Sequence, residues 1–160
     1  MDLFIVRHGE AVDEAPSGAD ADRWLTAKGR DVTRRVARWL AEDAARRPAA
    51  IWTSPLVRAV QTAELVAGIV TNDDVSVAVE LTPGGDLDRL LKRVAKRDGS
   101  PLAFVGHEPS LSALAKELLG DVAWQGFKKS GVCKVSWAGK GHARFEWLLV
   151  PKDMRVVTSL

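Results

Sequence analysis

The chain has 160 residues, of which 46% are hydrophobic, so we expect a single folded domain over residues 1–160 and not a disordered chain. Its 23 basic and 21 acidic residues nearly balance, which argues against a dedicated nucleic-acid binder. The first apolar run is too short for a signal peptide, and none approaches the roughly 20 residues that span a bilayer, so we expect a cytoplasmic protein without membrane contact.

The amino-terminal part of the chain predicts a strand, a loop and a long helix. Residues 3–6 are continuously apolar, which is typical of a strand buried on both faces. Gly9 breaks this pattern, as expected where the backbone turns sharply and approaches a ligand closely. The polar, acidic residues 12–23 predict a loop, and apolar residues at helical spacing predict a helix over residues 26–46, with Thr26 as its N-cap.

The middle of the chain alternates short strands with helices. Residues 51–53 predict a second buried strand. Ser54 and Pro55 resemble an N-cap followed by proline at the first helical position, so we expect the next helix to begin there. Residues 75–79 alternate weakly and predict a third strand, and residues 86–99 predict a further helix.

The last part of the chain completes an α/β pattern. Residues 102–105 predict another strand buried on both faces, and residues 109–119 predict a helix that ends at Gly120. Residues 132–137 and 142–150 alternate around a glycine-containing turn, which predicts an antiparallel hairpin. The whole pattern predicts a three-layer α/β/α sandwich with a mainly parallel sheet and an antiparallel edge hairpin.

Cationic and imidazole side chains follow three of the predicted strands. Arg7 and His8 come after the first strand, Arg58 enters the helix after the second, and His107 follows a later buried strand. Ligands of such folds bind at the carboxyl ends of the strands, where helix N-termini add positive potential. Arg23, just before the long helix, could supply a third arginine. Because a guanidinium group donates two hydrogen bonds to phosphate oxygens, this edge predicts a phosphate-binding pocket.

A metal site is the main alternative at this edge. His8, Glu10, His107 and Glu108 could supply nitrogen and oxygen ligands, which we list as candidates only. Two arginines would place like charge beside a divalent cation, and the sequence has no HExxH or paired-aspartate spacing. We therefore expect no metal and no cofactor. His142 has no partner nearby in the sequence and is expected to be an ordinary histidine without a ligand.

Three motifs, in this order and each after a predicted strand, resemble those of the histidine phosphatase superfamily, which has the phosphoglycerate mutase-like fold. The short chain and its segments 23–26 and 80–86 resemble, within that superfamily, the phosphohistidine phosphatases of the SixA type. The three motifs are Arg7-His8-Gly9-Glu10-Ala11, Thr53-Ser54-Pro55-Leu56 with Arg58-Ala59 and Gln61-Thr62-Ala63, and Val105-Gly106-His107-Glu108-Pro109.

The resemblance implies a metal-independent phosphatase in which His8 is the nucleophile and becomes a phospho-histidine. It also implies that four residues clamp the phosphate, namely Arg7, Arg23, Arg58 and His107. The implied substrate is a protein that carries phosphohistidine. A small phosphate ester, such as a sugar or nucleotide phosphate, is the alternative within the superfamily. A non-catalytic phosphate-binding module is a third hypothesis, and the complete set of clamp residues argues against it.

Glu80 is the candidate general acid. It lies in the loop where superfamily members that act on alkyl phosphates place a carboxylic acid. The SixA-like pattern implies that none is needed, because imidazole is a much better leaving group than an alkoxide. We therefore favour a structural role for Glu80.

Overall fold

A computed structural model describes residues 1–71, 73–120 and 122–160, and it shows a seven-stranded mixed sheet between two layers of helices. The strands are β1 (Asp2–Arg7), β2 (Ala50–Thr53), β3 (Val75–Val77), β4 (Leu102–Gly106), β5 (Val132–Trp137), β6 (Ala143–Val150) and β7 (Arg155–Val157). The α-helices are α1 (Ala27–Ala41), α2 (Val57–Val70), α3 (Leu87–Val94) and α4 (Ser110–Leu119).

The strands lie in the order β3-β2-β4-β1-β5-β6-β7 across the sheet. The pairs β3–β2, β2–β4 and β4–β1 are parallel, and the pairs from β1 to β7 are antiparallel. The predicted three-layer α/β/α sandwich with an antiparallel edge is therefore confirmed. Strand β7 was not predicted from the sequence, because its three residues are too few for a periodic pattern to stand out.

The central strand β1 shows why the sheet needs helices on both faces. Leu3 and Ile5 belong to the core under α3 and α4, whereas Phe4 and Val6 belong to the core under α1 and α2. These four side chains are at most 2% exposed. Burying an aliphatic or phenyl side chain of this size contributes roughly 1.5–3 kcal/mol, so a continuous apolar strand is stable only between two covering layers.

Several predicted boundaries need correction. Helix α1 ends at Ala41, short of residue 46, because Asp43 then accepts a hydrogen bond from the Ala45 N–H at 2.9 Å and begins a separate 3-10 turn. Helix α3 ends at Val94, well before residue 99, and β3 ends at Val77. The start of α1 is as predicted, since Thr26 accepts a hydrogen bond from the Gly29 N–H at 2.9 Å.

The predicted start of the second helix is wrong in an informative way. Helix α2 begins at Val57, and Leu56, not Ser54, is its N-cap residue. The Ser54 hydroxyl group instead lies 2.8 Å from Nε2 of His107 and accepts a weak hydrogen bond from the Leu56 N–H at 3.3 Å. The Ser54 side chain, which the sequence predicts as a helix cap, therefore contacts His107 instead.

Strand register brings the three predicted motifs together. Arg7 pairs with Gly106 across β1 and β4, and Thr53 pairs with Val105 across β2 and β4. The pairing continues one residue further, because the His8 N–H donates to the Gly106 carbonyl at 3.1 Å. The residues that follow β1, β2 and β4 therefore lie side by side at one edge of the sheet. Within the described ranges no helix is long and apolar enough to cross a membrane.

Candidate active site

His8 lies directly after β1 and is 8% exposed. Its Nδ1 is 2.7 Å from the carbonyl oxygen of Gly9. Because a carbonyl group only accepts, Nδ1 must carry the ring proton, which leaves an unprotonated lone pair on Nε2. The pKa of His8 is lowered from 6.5 to about 4, mainly by burial; the Gly9 carbonyl opposes this effect, and the charges of Arg58, Arg7 and Lys129 add to it. At neutral pH the His8 ring is therefore uncharged and has a free nucleophilic nitrogen.

His107 follows β4 and is 2% exposed. Its ring centroid is 4.9 Å from that of His8, with the two ring planes tilted by 50°. The pKa of His107 is lowered from 6.5 to about 3, mainly by burial; the neighbouring His8 and Arg58 add to this effect, whereas Asp20 acts in the opposite direction. Nδ1 of His107 is buried and has no hydrogen-bond partner in the part of the chain that is described. The structure thus brings the two predicted histidines into one site, and one ring nitrogen there is unsatisfied.

These lowered pKa values predict how pH acts on the free protein. We expect His8 and His107 to stay neutral from pH 8 down to about pH 5, whereas an unfolded histidine, with a pKa of 6.5, gains a proton over that range. The unfolded chain then binds more protons, so the stability that the two rings contribute is complete above pH 6.5 and is lost as pH falls towards about 4. Nitrogen-15 NMR of the imidazole rings measures both tautomer and titration, and a His8 ring that titrates near pH 6.5 would contradict this expectation.

Arg7 is the last residue of β1, and a carbonyl group orients its side chain. Its Nη1 donates to the Phe127 carbonyl at 2.6 Å, while its Nε is buried without a partner among the described residues. Phe127 is held in turn by Glu108, whose Oε1 accepts from the Phe127 N–H at 2.6 Å. Glu108 therefore orders the chain segment that orients Arg7, a role that sequence reasoning missed.

Arg58 and Arg23 converge on one acidic residue. Arg58 lies in the first turn of α2 and is 5% exposed, and its Nη2 donates to Oδ2 of Asp20 at 2.9 Å. Arg23 donates from Nη1 to Oδ1 of Asp20 at 2.8 Å and from Nε to the Val12 carbonyl at 2.7 Å. The hydrogen bonds from Arg23 and Arg58 hold the pKa of Asp20 below its usual range. Sequence reasoning missed Asp20, because nothing in the spacing distinguishes it from the other acidic residues of the same loop.

Gly9 and Thr62 attach the segment after β1 to the helices. The Thr62 hydroxyl group accepts from the Gly9 N–H at 3.0 Å and donates to the Arg58 carbonyl at 2.7 Å. A Cβ atom at Gly9 would lie 2.7 Å from Oγ1 of Thr33 on α1. Gly9 does not have a positive φ, so its backbone conformation alone does not require a glycine. The glycine is needed because the backbone packs closely against α1.

Glu80, the candidate acid, has its carboxylate group in two ion pairs with α3. Its side chain is 2% exposed, Oε2 is 2.7 Å from Nη1 of Arg93, and Oε1 is 3.1 Å from Nε of Arg89. Arg93 also stacks on the Trp52 ring, with its guanidinium carbon 4.5 Å from the ring centroid. These contacts favour the structural role.

The two carboxylates considered as metal ligands form hydrogen bonds with other groups. Glu10 accepts from the Thr26 hydroxyl at 3.0 Å, and Glu108 accepts from the Phe127 N–H. Among the described residues, no group of three or more His, Cys, Asp and Glu side chains is arranged to hold a metal ion. His142 is exposed at the hairpin turn and lies outside this site.

The fold and this arrangement of basic side chains define a class of enzyme. Residues 3–82 match the family model of the histidine phosphatase superfamily (branch 1), and the chain belongs to that superfamily. The protein is a phosphatase, and its structure has the phosphoglycerate mutase-like fold of the family. The matched segment includes Arg7, His8, Arg23 and Arg58 and ends before His107, whose proximity to His8 comes from the pairing of β1 with β4.

Particular relatives narrow this class. The chain is 29% identical to phosphohistidine phosphatase SixA of Escherichia coli (strain K12), and the match covers 100% of both proteins. The solved structure of the protein histidine phosphatase SixA complexed with tungstate has a TM-score of 0.87, at 29% identity over 97% of this chain and 100% of that one. An uncharacterised protein of Picosynechococcus sp. is 37% identical over 74% of this chain and 73% of its own length. The resemblance to SixA-type phosphatases is therefore confirmed as a similarity of sequence and fold.

Proposed function

We propose that this phosphatase works without a metal, forms a phospho-histidine on His8 and removes phosphate from phosphohistidine carried by a protein. The observation that carries the proposal is the pairing of the neutral His8 ring, whose Nε2 is free, with His107 at a centroid distance of 4.9 Å. Arg7, Arg23 and Arg58 supply positive charge beside this pair. The similarity to SixA over the full length of both proteins supports the choice of substrate.

In the first step, Nε2 of His8 attacks phosphorus in line with the bond that breaks. A new P–N bond forms, and the electron pair of the old bond leaves with the imidazole nitrogen of the substrate, which takes a proton from solvent. Phosphoryl transfer needs positioning and charge stabilisation more than covalent chemistry from the protein. Arg7, Arg58 and His107 would provide these for the phosphoryl oxygens, with Arg23 as a third arginine.

In the second step, water attacks the phosphorus of the phospho-enzyme. The bond between phosphorus and Nε2 of His8 breaks, its electron pair returns to the ring, and the water proton goes to solvent with release of inorganic phosphate. Dividing the reaction in this way replaces one difficult step by two easier ones. The Gly9 carbonyl keeps Nδ1 protonated, so the ring returns to the same tautomer after each turnover.

A comparison of substrates tests the proposed specificity. A synthetic phosphohistidine peptide would be compared with phosphoserine, a sugar phosphate and a nucleoside monophosphate. General acid catalysis contributes about 10²–10⁴-fold, and the Glu80 carboxylate is engaged by two arginines, so we expect kcat/KM for the phosphohistidine peptide to exceed that for each ester by about a hundredfold or more. A small ester that is hydrolysed as fast as the peptide would favour the small-molecule alternative.

Chelation tests metal independence. We expect prolonged dialysis against EDTA to leave kcat/KM for the phosphohistidine peptide unchanged, because arginine side chains occupy the position where a metal would otherwise neutralise phosphate charge. Activity is measured before and after dialysis, and again after addition of Mg²⁺, Mn²⁺ or Zn²⁺. A loss on dialysis that a divalent ion restores would contradict the proposal and support a metallohydrolase.

Replacing Glu80 tests whether it acts as an acid. We expect Glu80→Gln to keep kcat for the phosphohistidine peptide within about twofold, while urea unfolding shows a loss of about 1–3 kcal/mol because two arginines lose a charged partner. Glu64→Gln, at an exposed position on α2, is the matched control and should change neither quantity. A large fall in kcat at unchanged stability would identify Glu80 as the proton donor.

A further inference from the structure

Asp20 lies between two of the arginines that would clamp phosphate, and the mechanism above does not use it. Resting on the proposed function, we propose that Asp20 is a specificity-determining residue. In the free protein, the Asp20 carboxylate accepts the hydrogen bonds of Arg58 and Arg23 that a phosphoryl group would accept. A phosphoryl group therefore has to displace this carboxylate before it can bind both arginines.

The contacts of Asp20 imitate those of a bound oxyanion. Oδ2 accepts from Nη2 of Arg58 at 2.9 Å, and Oδ1 accepts from Nη1 of Arg23 at 2.8 Å. The backbone carbonyl of Asp20 accepts from Nη1 of Arg58 at 2.8 Å. Two guanidinium groups on two oxygens of one anion is the arrangement expected for arginine with phosphate. The influence of Asp20 on the pKa of His107 shows that this carboxylate acts within the site.

The two partners differ in how firmly they are held. The Arg58 side chain is 6% exposed and sits on the first turn of α2, whereas the Asp20 side chain is 60% exposed. Asp20 belongs to a three-residue 3-10 turn, Asp20–Asp22, whose N-cap residue makes no capping hydrogen bond through its side chain. Rotation of one exposed side chain would therefore free Nη2 of Arg58 and Nη1 of Arg23. The backbone carbonyl contact could still orient Arg58 while the carboxylate is displaced.

The difference in charge decides whether the arginines bind the Asp20 carboxylate or a phosphoryl group. A phosphoryl dianion has more charge and more acceptor oxygens than a carboxylate, so it forms the stronger hydrogen bonds with guanidinium groups. A singly charged oxyanion has a smaller advantage over the Asp20 carboxylate. Asp20 would also repel bound phosphate and compete for the arginines after hydrolysis. The residue would therefore select dianions and promote release of the product.

Asp20→Asn is the decisive variant, because it removes the charge and keeps the shape and the backbone carbonyl. Inhibition by inorganic phosphate and direct calorimetric titration with phosphate would be measured for both proteins. Because the substitution removes a charged hydrogen-bonding competitor, we expect phosphate to bind about tenfold more tightly to Asp20→Asn, which is a difference of about 1.4 kcal/mol. We also expect selectivity for phosphate over a singly charged oxyanion, such as nitrate, to fall. Asp20→Ser is a second variant with the same expectation should the amide substitution fail to fold.

Asp22→Asn is the matched control. It distinguishes displacement of the Asp20 carboxylate from the general effect of removing one negative charge near the arginines. Asp22 lies in the same 3-10 turn, where its Oδ2 accepts from the Ser17 hydroxyl at 2.6 Å, and within the described ranges its side chain makes no hydrogen bond or ion pair with either arginine. An equal gain in phosphate affinity for Asp22→Asn would overturn the inference. Unchanged or weaker phosphate binding by Asp20→Asn would also overturn it, since Asp20 would then only position Arg58.

The phosphate titration does not depend on turnover, so the two proposals can fail separately. Absence of a phospho-enzyme in the wild-type protein would contradict the proposed function, whatever the phosphate affinity of Asp20→Asn. No phosphate binding by the wild-type protein or by Asp20→Asn would overturn the present inference.

Discussion

Replacement of His8 by alanine is expected to abolish turnover of a phosphohistidine peptide and to remove all covalent labelling by its phosphoryl group. The expected loss of kcat is on the order of 10⁴-fold or more, because the change removes the nitrogen that would form the P–N bond. Labelling is measured after rapid quenching at alkaline pH, where a phospho-histidine survives. The steady-state rate is measured separately on the same preparation of unquenched protein.

The His8 variant should fold, because alanine keeps the backbone hydrogen bonds of residue 8 with Gly106 and Ser130. His142→Ala is the matched control, because His142 is exposed at the hairpin turn and should keep full rate and full labelling. Retention of a labelled protein in His8→Ala would place the phosphoryl group on another residue. Turnover at the wild-type rate would refute the covalent mechanism.

Arg58→Lys should lower kcat/KM for the phosphohistidine peptide by about 10²–10³-fold, the usual effect of removing one well-placed donor from a transition state. Lysine keeps the positive charge but lacks the planar fork that donates two hydrogen bonds to phosphate. Arg58 is 5% exposed and fixed on α2, so a shorter, differently shaped cation cannot reach the same place by a simple rotation. Steady-state kinetics and the affinity for orthovanadate would both be measured.

Arg89→Lys is the control for this change. Arg89 lies on α3, its side chain is 68% exposed, and it forms an ion pair with Glu80. It should leave kcat/KM within about twofold, as expected for a surface ion pair. An Arg58→Lys protein with nearly wild-type kcat/KM and vanadate affinity would show that positive charge alone is enough. The bidentate contact at the centre of the proposed clamp would then be refuted.

The sequence was most informative where burial and chemistry coincide. Residues 3–6 of β1 and all five residues of β4 form continuous apolar runs that are buried in the middle of the sheet. Because parallel strands end at the same edge, the polar residues after them had to meet there. The proximity of His8 to His107 follows from this rule, although nearly 100 residues separate them.

The sequence was least informative where long-range contacts decide the outcome. Ser54 and Pro55 have the local pattern of a helix start, yet the Ser54 hydroxyl contacts His107, a residue that no local pattern connects with it. Asp20 and Glu108 likewise have partners outside their own segments, Arg58 and Phe127. Periodicity describes how one segment is buried, and it contains no information about which distant side chain a loop carboxylate will contact.

The backbone of His8 is held on both sides at the end of the innermost strand. Its N–H donates to the Gly106 carbonyl at 3.1 Å, and its own carbonyl accepts from the Ser130 N–H at 3.1 Å. A residue tied to the centre of a sheet exchanges its amide hydrogen only when the molecule opens globally. Local fraying at the termini or in surface loops therefore leaves the reactive ring in place. Heat inactivation and cooperative melting should then share one midpoint.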